Sequence, residues 1–176
     1  MESWSIEVHK DYLKFSAAHF LIFPDGTAER LHGHNYKVYV GVHANLDDHG
    51  LVLNFKEIKP LIRELVDELD EALLIPSRHP VLTTESLPGG QLEIRYKQRR
   101  YQVPADEVRL LPINNTSAEN LAGYLAHQLL ERVRRDFAAS ALQRLEVGVE
   151  ETPGQRGVVT IEFGTESGGA ARPGTP

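Results

Sequence analysis

The sequence predicts an α+β domain, in which one antiparallel sheet of four strands carries two helices on one face. Alternating apolar segments open the chain and two more close it. Between them, two stretches have apolar residues at spacings of three and four, the period of a half-buried helix. The order strand, strand, helix, helix, strand, strand is typical of an α+β layout.

The first half of the predicted sheet consists of residues 5–21 and 33–46. In the second of these segments His34 and every second residue up to Val42 share one face, as expected for a strand with one buried side. The turn signal at residues 24–27, Pro-Asp-Gly-Thr, lies between the two segments. It predicts that the two strands run antiparallel.

Two helices are predicted from their N-terminal caps and their apolar stripes. Asn54 followed by Glu57 indicates the start of a helix over residues 55–70. Residues 116–119, Thr-Ser-Ala-Glu, indicate the start of a second helix over residues 117–138. Each helix has one apolar face, which is expected to pack against the sheet.

The remaining segments complete the domain. Residues 145–151 and 158–163 alternate as the third and fourth strands, with a turn between them. Residues 1–164 are predicted to form one domain. Residues 165–176, composed mainly of Gly, Ala, Pro and Thr, are predicted to be a mobile tail.

The segment 76–112 is less regular than the rest and is interpreted as an insertion on this domain. Residues 91–103 within it are rich in Ile, Tyr, Val and Arg, which favours a strand. They are predicted to form a small hairpin with residues 107–111. The hairpin would either extend the sheet or shape the mouth of a site.

Composition and charge limit the classes of partner. The net charge of −6 over 176 residues gives no electrostatic basis for nucleic-acid binding. No apolar run approaches the length of a membrane span, and the charged N-terminus is unlike a signal peptide. We therefore expect a cytoplasmic protein without nucleic-acid or membrane partners. Two open sheet edges predict a homo-oligomer.

Three histidines form a candidate metal site. His32 and His34 are two residues apart, so on a strand both imidazoles point the same way. A neighbouring strand that carries His19 supplies a third nitrogen. Three imidazoles suit zinc and leave its fourth position open for water or substrate, as in catalytic sites. The alternative is that these are three ordinary sheet histidines.

Several motifs resemble the family of 6-pyruvoyl-tetrahydropterin synthase and 6-carboxytetrahydropterin synthase. In order along residues 5–164 they are FSAAH, LHGHNY, LVLNF, NNTSAENLA and VEET. The resemblance implies a tunnelling fold (T-fold), assembled as a hexamer of two trimers with active sites between subunits. It also implies Zn²⁺ on His19, His32 and His34, and a pterin substrate whose ring is held by Glu151.

The chemistry of a pterin agrees with that assignment. The ring edge offers an N–H and an amino group side by side, and one carboxylate accepts both. Thr116, Ser117 and Glu119 are candidates to complete the hydrogen bonds of the ring, although a helix cap alone explains Thr116 and Glu119. Zinc would bind the hydroxyls of the side chain at position 6, so that a base removes a proton.

The chain departs from the family at two positions that matter for catalysis. The family has a cysteine shortly before the HGH motif, and this chain has no cysteine. Glu29 lies three residues before His32 instead, and a branch of the family has the same Glu-x-x-His-Gly-His pattern. The family also has an Asp-His pair after the first helix, where this chain has Asp70 and Glu71. These two carboxylates are candidate catalytic residues, or else charges at the end of a helix.

The branch that carries the glutamate is similar in outcome to dihydroneopterin aldolase. The resemblance therefore implies a zinc-dependent lyase that acts on dihydroneopterin or its triphosphate and gives 6-hydroxymethyl-dihydropterin, with Glu29 as the base. One alternative is 6-carboxytetrahydropterin synthesis. Another is a pterin-binding protein that retains zinc and has lost catalysis.

Overall fold

The computed structural model describes residues 2–136 and 142–163. The predicted tail and the last two residues of the predicted second helix lie outside these ranges. In chain order the elements are β1 (Trp4–Val8), β2 (Lys14–His19), β3 (His32–Ala44), α1 (Phe55–Asp67), β4 (Ala72–Pro76), β5 (Thr83–Leu87), β6 (Gln91–Tyr96), β7 (Arg99–Pro104), a 3₁₀ turn (Ala105–Glu107), β8 (Val108–Leu111), α2 (Ala118–Asp136), β9 (Leu142–Thr152) and β10 (Gln155–Glu162).

The main sheet is a seven-stranded sheet built around the long strand β3. Its order is β10-β9-β3-β2-β4-β8, and β1 also pairs with β3. The prediction of one strand over residues 5–21 is wrong. The chain turns at residues 9–13, where the Leu13 N–H donates to the Lys10 carbonyl at 2.8 Å, so β1 and β2 pair separately with β3.

The predicted four-stranded antiparallel sheet is wrong in strand number and in strand direction. β4 pairs in parallel with both β2 and β8. All five residues of β4 are buried, because Leu74 packs on the helix side and Leu73 and Ile75 on the other. A strand that is buried on both faces does not alternate between apolar and polar residues. The alternation pattern therefore did not predict β4.

Both helices pack on one face of the sheet, as predicted. They cover the alternating apolar residues of β2, β3 and β9 in one core. The Asn54 side chain caps α1 by accepting the Lys56 N–H at 2.9 Å. In α2 the capping oxygen belongs to Ser117, which accepts the Asn120 N–H at 3.4 Å. No helix in the described part of the chain has the length and apolar character needed to cross a membrane.

The insertion forms a sheet of its own. β5, β6 and β7 pair antiparallel, so the predicted hairpin of residues 91–103 with 107–111 is wrong. β6 pairs with β7, and β8 joins the main sheet instead. A second apolar cluster joins the insertion to β4 and to the segment that follows β2, and it contains Phe20, Ile22, Leu73, Ile75, Leu82, Leu92, Ile94, Tyr96 and Val108.

Candidate metal centre and active site

The antiparallel register of β2 and β3 brings the three histidines together. His19 lies opposite His32, and Ala17 lies opposite His34, so all three imidazoles project from the same face. The ring centroids of His19 and His32 are 4.8 Å apart, those of His32 and His34 4.8 Å and those of His19 and His34 5.3 Å. One ring nitrogen from each residue lies within 4.8 Å of the others. We call this group the histidine tripod.

Backbone carbonyls fix the proton positions of two tripod rings. Nδ1 of His19 is 3.1 Å from the Thr116 carbonyl oxygen, and Nδ1 of His32 is 2.7 Å from the Arg30 carbonyl oxygen. A carbonyl only accepts, so Nδ1 carries the proton in both rings and each neutral ring keeps its lone pair on Nε2. Metal-binding histidines are held in this way by the groups behind them.

A carboxylate and a phenol lie against the tripod. Oε1 of Glu151 is 3.2 Å from Nε2 of His19 and 3.7 Å from Nε2 of His34. The buried Tyr36 hydroxyl donates to the same oxygen at 3.2 Å and lies 3.0 Å from Nε2 of His19. Two acceptors thus share a single hydroxyl proton, an arrangement that favours a cation at this point.

The protonation states of these groups suit a metal. Burial lowers the pKa of His19 below 6.5, against the opposing charge of Glu151, so the ring is neutral at pH 7. Burial, with the nearby charge of Glu151, raises the pKa of the Tyr36 hydroxyl, which therefore stays protonated. Neutral imidazole is the form that binds metal, and three of them fit a divalent ion such as zinc.

The metal-free protein is expected to lose stability as the pH falls through 6.5. His19 titrates near 6.5 when unfolded and at a lower pH when folded, so below 6.5 the unfolded state binds more protons. The free energy of unfolding then decreases with falling pH. The effect is measured by urea unfolding of the chelator-treated protein at several pH values above and below 6.5, with the His19→Gln variant measured in the same way. An equally steep dependence in the variant would show that His19 is not its source.

Glu29 lies next to the tripod. Its Oε2 accepts the Leu21 N–H at 3.1 Å and is 3.8 Å from Nε2 of His32. The predicted turn at residues 24–27 positions it: the Phe23 N–H donates to the Thr27 carbonyl at 2.8 Å, and the Glu29 N–H donates to the Leu21 carbonyl at 3.0 Å. The Glu29 side chain is 33% exposed, so solvent or a ligand can reach it.

Asp70 and Glu71 are held against the backbone of β2 at Ser16. An Asp70 carboxylate oxygen accepts the Ser16 N–H at 2.7 Å, and the Glu71 N–H donates to the Ser16 carbonyl at 2.8 Å. Ser16 and His19 are three residues apart on β2, so their side chains point to opposite faces. Glu71 lines a cavity of about 400 Å³ together with Ser16 and Ala18 of that opposite face and with His34 of the tripod.

The three polar residues that were predicted to contact a pterin have different surroundings. Thr116 is fully buried, and its hydroxyl donates to the Phe20 carbonyl at 3.1 Å. It lies behind His19 rather than at an open surface. Ser117 caps α2, and Glu119, in the first turn of that helix, lines a surface groove.

Two residues of the site were missed by the sequence analysis. Tyr36 follows His34 by two positions on the same face of β3, and that spacing could have placed it beside the tripod. Asn115 pairs with the backbone of Ile22, accepting its N–H at 3.2 Å and donating to its carbonyl at 2.9 Å. Asn115 thereby helps to hold Thr116 next to His19 of β2. No local pattern in the sequence predicts such a contact.

The fold and the site define an α+β protein with a candidate three-histidine metal centre. The sequence model of the 6-pyruvoyl tetrahydropterin synthase family matches residues 7–162 of this chain. The chain therefore belongs to this family.

Two relatives illustrate the match. A protein of Methanocaldococcus jannaschii, named as a putative 6-carboxy-5,6,7,8-tetrahydropterin synthase, is 36% identical over 144 residues, which cover 81% of this chain and 86% of the relative. The crystal structure of 6-pyruvoyl tetrahydropterin synthase from Plasmodium vivax has a TM-score of 0.86 at 27% identity, and the match covers 93% of this chain and 100% of that one. The fold is thus the tunnelling fold that the sequence motifs implied.

A second similar structure bears on the active site. It is a variant of the Plasmodium vivax enzyme in which a glutamate, named as a catalytic residue, is replaced by alanine. It has a TM-score of 0.86 at 26% identity, and the match covers 93% of this chain and 100% of that one. A glutamate therefore has a catalytic role in a protein that shares this fold.

Proposed function

We propose that this chain is a zinc-dependent lyase that cleaves the side chain of a dihydropterin. Dihydroneopterin or its triphosphate is the proposed substrate, and 6-hydroxymethyl-dihydropterin is the proposed product. The observation that carries the proposal is the Glu29 carboxylate 3.8 Å from Nε2 of His32, in a chain without cysteine. The catalytic glutamate of the Plasmodium vivax enzyme supports it.

The reaction needs a proton acceptor beside the side chain at position 6 of the pterin. Cleavage of a carbon–carbon bond next to a hydroxyl removes the hydroxyl proton and leaves a carbonyl on the departing fragment, while the conjugated ring takes the electron pair. Return of one proton to the carbon that stays on the ring then completes the hydroxymethyl group. Glu29 is the proposed acceptor of that proton. Zinc on the tripod would supply Lewis-acid chemistry that lowers the pKa of a substrate hydroxyl.

Glu151 is the proposed anchor of the pterin ring. Its carboxylate lies at the tripod with its side chain 21% exposed, so it is accessible yet largely shielded from water. The Tyr36 hydroxyl holds one of its oxygens at 3.2 Å, which fixes the direction of the carboxylate. Ser117 and Glu119 stay predicted ring contacts, whereas Thr116 acts on the site through His19.

Glu151→Gln is expected to weaken pterin binding about 10- to 100-fold, because a charge-assisted hydrogen bond contributes about 1.5–3 kcal/mol. Zinc content should remain at one ion per chain. Equilibrium titration with a pterin and metal analysis measure the two quantities. Glu150→Gln is the matched control, since Glu150 is the adjacent residue and its carboxylate binds the Tyr39 hydroxyl instead. Loss of zinc in Glu151→Gln would identify Glu151 as a metal ligand.

A homo-oligomer is part of the proposal, and the family resemblance implies a hexamer of two trimers. Among the described strands, β8 and β10 end the main sheet, so each offers an open edge for another subunit. The same resemblance implies active sites between subunits. Asp70 and Glu71 therefore stay candidate catalytic residues, acting at the tripod of a neighbouring subunit.

A second candidate function is 6-carboxytetrahydropterin synthesis. The name of the Methanocaldococcus jannaschii relative favours it, as does the name of a Rickettsia conorii relative that is 28% identical over 138 residues. The lack of cysteine, and the glutamate at position 71 in place of the relay histidine, count against it. A binding protein without catalysis is the third possibility.

Product analysis distinguishes these functions. The full chain, loaded with zinc, is incubated with dihydroneopterin and separately with its triphosphate, and products are identified by mass spectrometry. Formation of 6-hydroxymethyl-dihydropterin supports the proposal, and formation of 6-carboxytetrahydropterin supports the second function instead. Tight pterin binding and stoichiometric zinc without turnover would indicate the binding protein.

A further inference from the structure

We propose that the inserted sheet β5–β7 is a brace that holds the Glu29 loop in place, with Arg99 as its positioning residue. The Glu29 loop is the segment of residues 20–31 that connects β2 to β3. The inference rests on the proposed function, in which Glu29 accepts a proton. It gives residues 83–104 a role in catalysis through the position of Glu29.

Arg99 holds the backbone of Glu29 on both sides. One terminal nitrogen of its guanidinium donates to the Glu29 carbonyl, and the other donates to the Ala28 carbonyl at 2.6 Å. These two carbonyls flank the Cα atom of Glu29. The planar guanidinium presents its donors in a rigid fork, so the pair of bonds restricts both peptide units from which the Glu29 side chain extends.

Neighbouring residues of the insertion hold the tip of the loop. The buried Tyr96 hydroxyl donates to the Gly26 carbonyl at 2.9 Å, and the Lys97 ammonium donates to the same oxygen. Gly26 has a φ of +77°, and a Cβ placed there would meet the end of the Lys97 side chain. The loop tip and the insertion are therefore in close contact at a position suited to glycine.

The brace itself rests on the apolar core beneath the loop. Leu92, Ile94 and Tyr96 of β6 belong to the same buried cluster as Phe20 and Ile22 of the loop. The rings of Phe20 and Tyr101 also stack at a centroid distance of 5.6 Å. The insertion is thus packed against the base of the loop as well as bonded to its tip.

A catalytic base works only when its carboxylate lies accurately beside the proton that it removes. The Glu29 carboxylate is held at its own end by the Leu21 N–H at 3.1 Å, and its backbone is held by Arg99. A displacement of about 1 Å at a reacting group can cost about 100-fold in rate. Loss of the Arg99 contacts should therefore affect the chemical step more than substrate binding.

The test compares Arg99→Ala and Arg99→Lys with Arg100→Ala. Arg100 is the adjacent residue of β7, and its side chain is 69% exposed and paired with Glu93, so it is a matched control. We expect Arg99→Ala to lower kcat about 10- to 100-fold with KM changed less than about threefold. Arg99→Lys keeps the positive charge but loses the two-donor geometry of the guanidinium, so its kcat should lie between those of Arg99→Ala and the wild type. The zinc content of every variant should stay unchanged.

A double variant separates positioning from general damage to the fold. In a Glu29→Gln background, Arg99→Ala should lower kcat by less than about twofold, because residues that act as a unit are not additive. A further loss as large as in the wild-type background would overturn the proposal. If Arg99→Ala does not fold, the same cycle is made with Arg99→Lys.

Amide hydrogen exchange provides a readout that does not depend on turnover. Exchange in residues 20–31 should be faster in Arg99→Ala and unchanged in Arg100→Ala. If the wild-type chain turns over no pterin while this result holds, the brace stands and the proposed function fails. If exchange and kcat in Arg99→Ala both equal those of the wild type, the brace is wrong whatever the reaction.

Discussion

His32→Ala is expected to release zinc and to lower dihydropterin turnover by about 1000-fold or more. Two imidazoles are left to hold the metal, and the several kcal/mol that a Lewis acid supplies to the transition state are lost. A loss of about 4 kcal/mol corresponds to about three orders of magnitude in rate. His32 is chosen because its side chain is 38% exposed, so its removal disturbs the core less than removal of the buried His19.

Metal analysis after dialysis and a kinetic assay under the same conditions measure this effect. His49→Ala is the control, because His49 lies in an exposed turn after β3 and should leave zinc content and turnover unchanged. Thermal unfolding of the metal-free variant and of metal-free wild type checks that the fold is intact. Retention of one zinc ion per chain by His32→Ala would contradict the tripod as the metal site.

Glu29→Gln is expected to lower kcat by about 100- to 10,000-fold, the usual contribution of a general base. Glutamine has nearly the same shape, and its side-chain oxygen can still accept the Leu21 N–H that Glu29 accepts at 3.1 Å. It has no carboxylate to take a proton. The variant should therefore keep its zinc and its affinity for the pterin while it loses the chemical step.

Single-turnover kinetics with a pterin, together with metal analysis, separate these effects. Glu85→Gln is a suitable control, because the Glu85 side chain is 60% exposed on the inserted sheet and pairs with Arg95. Turnover by Glu29→Gln within about threefold of the wild type would exclude Glu29 as the base. Asp70 and Glu71 of a neighbouring subunit would then be the carboxylates to replace next.

The geometry of the tripod could be predicted because its residues lie close together in sequence. The spacing of His32 and His34 fixes a shared face through the two-residue period of a strand. The turn at residues 24–27 makes β2 and β3 antiparallel, and this places His19 opposite His32. These relationships depend on local chemistry, which a single sequence contains.

The supports of the site could not be predicted because they join distant parts of the chain. Thr116 contacts His19 from 97 residues away, and Arg99 contacts Glu29 from 70 residues away. Neither contact has a periodic signal, since each depends on how separate elements pack. The parallel pairing of β4 with β2 and β8 escaped prediction for the same reason, because a short apolar run does not indicate its partners.

We propose that three imidazoles of this chain hold one zinc ion and leave a position for substrate. This proposal is tested by the zinc X-ray absorption spectrum of the purified full chain. We expect one zinc ion per chain, the multiple-scattering pattern of three imidazoles and Zn–N distances of about 2.0–2.1 Å. We also expect the remaining ligand to change when a dihydropterin is added. A chain that takes up no zinc, or zinc whose spectrum lacks imidazole scattering, would show that the tripod is not a zinc site.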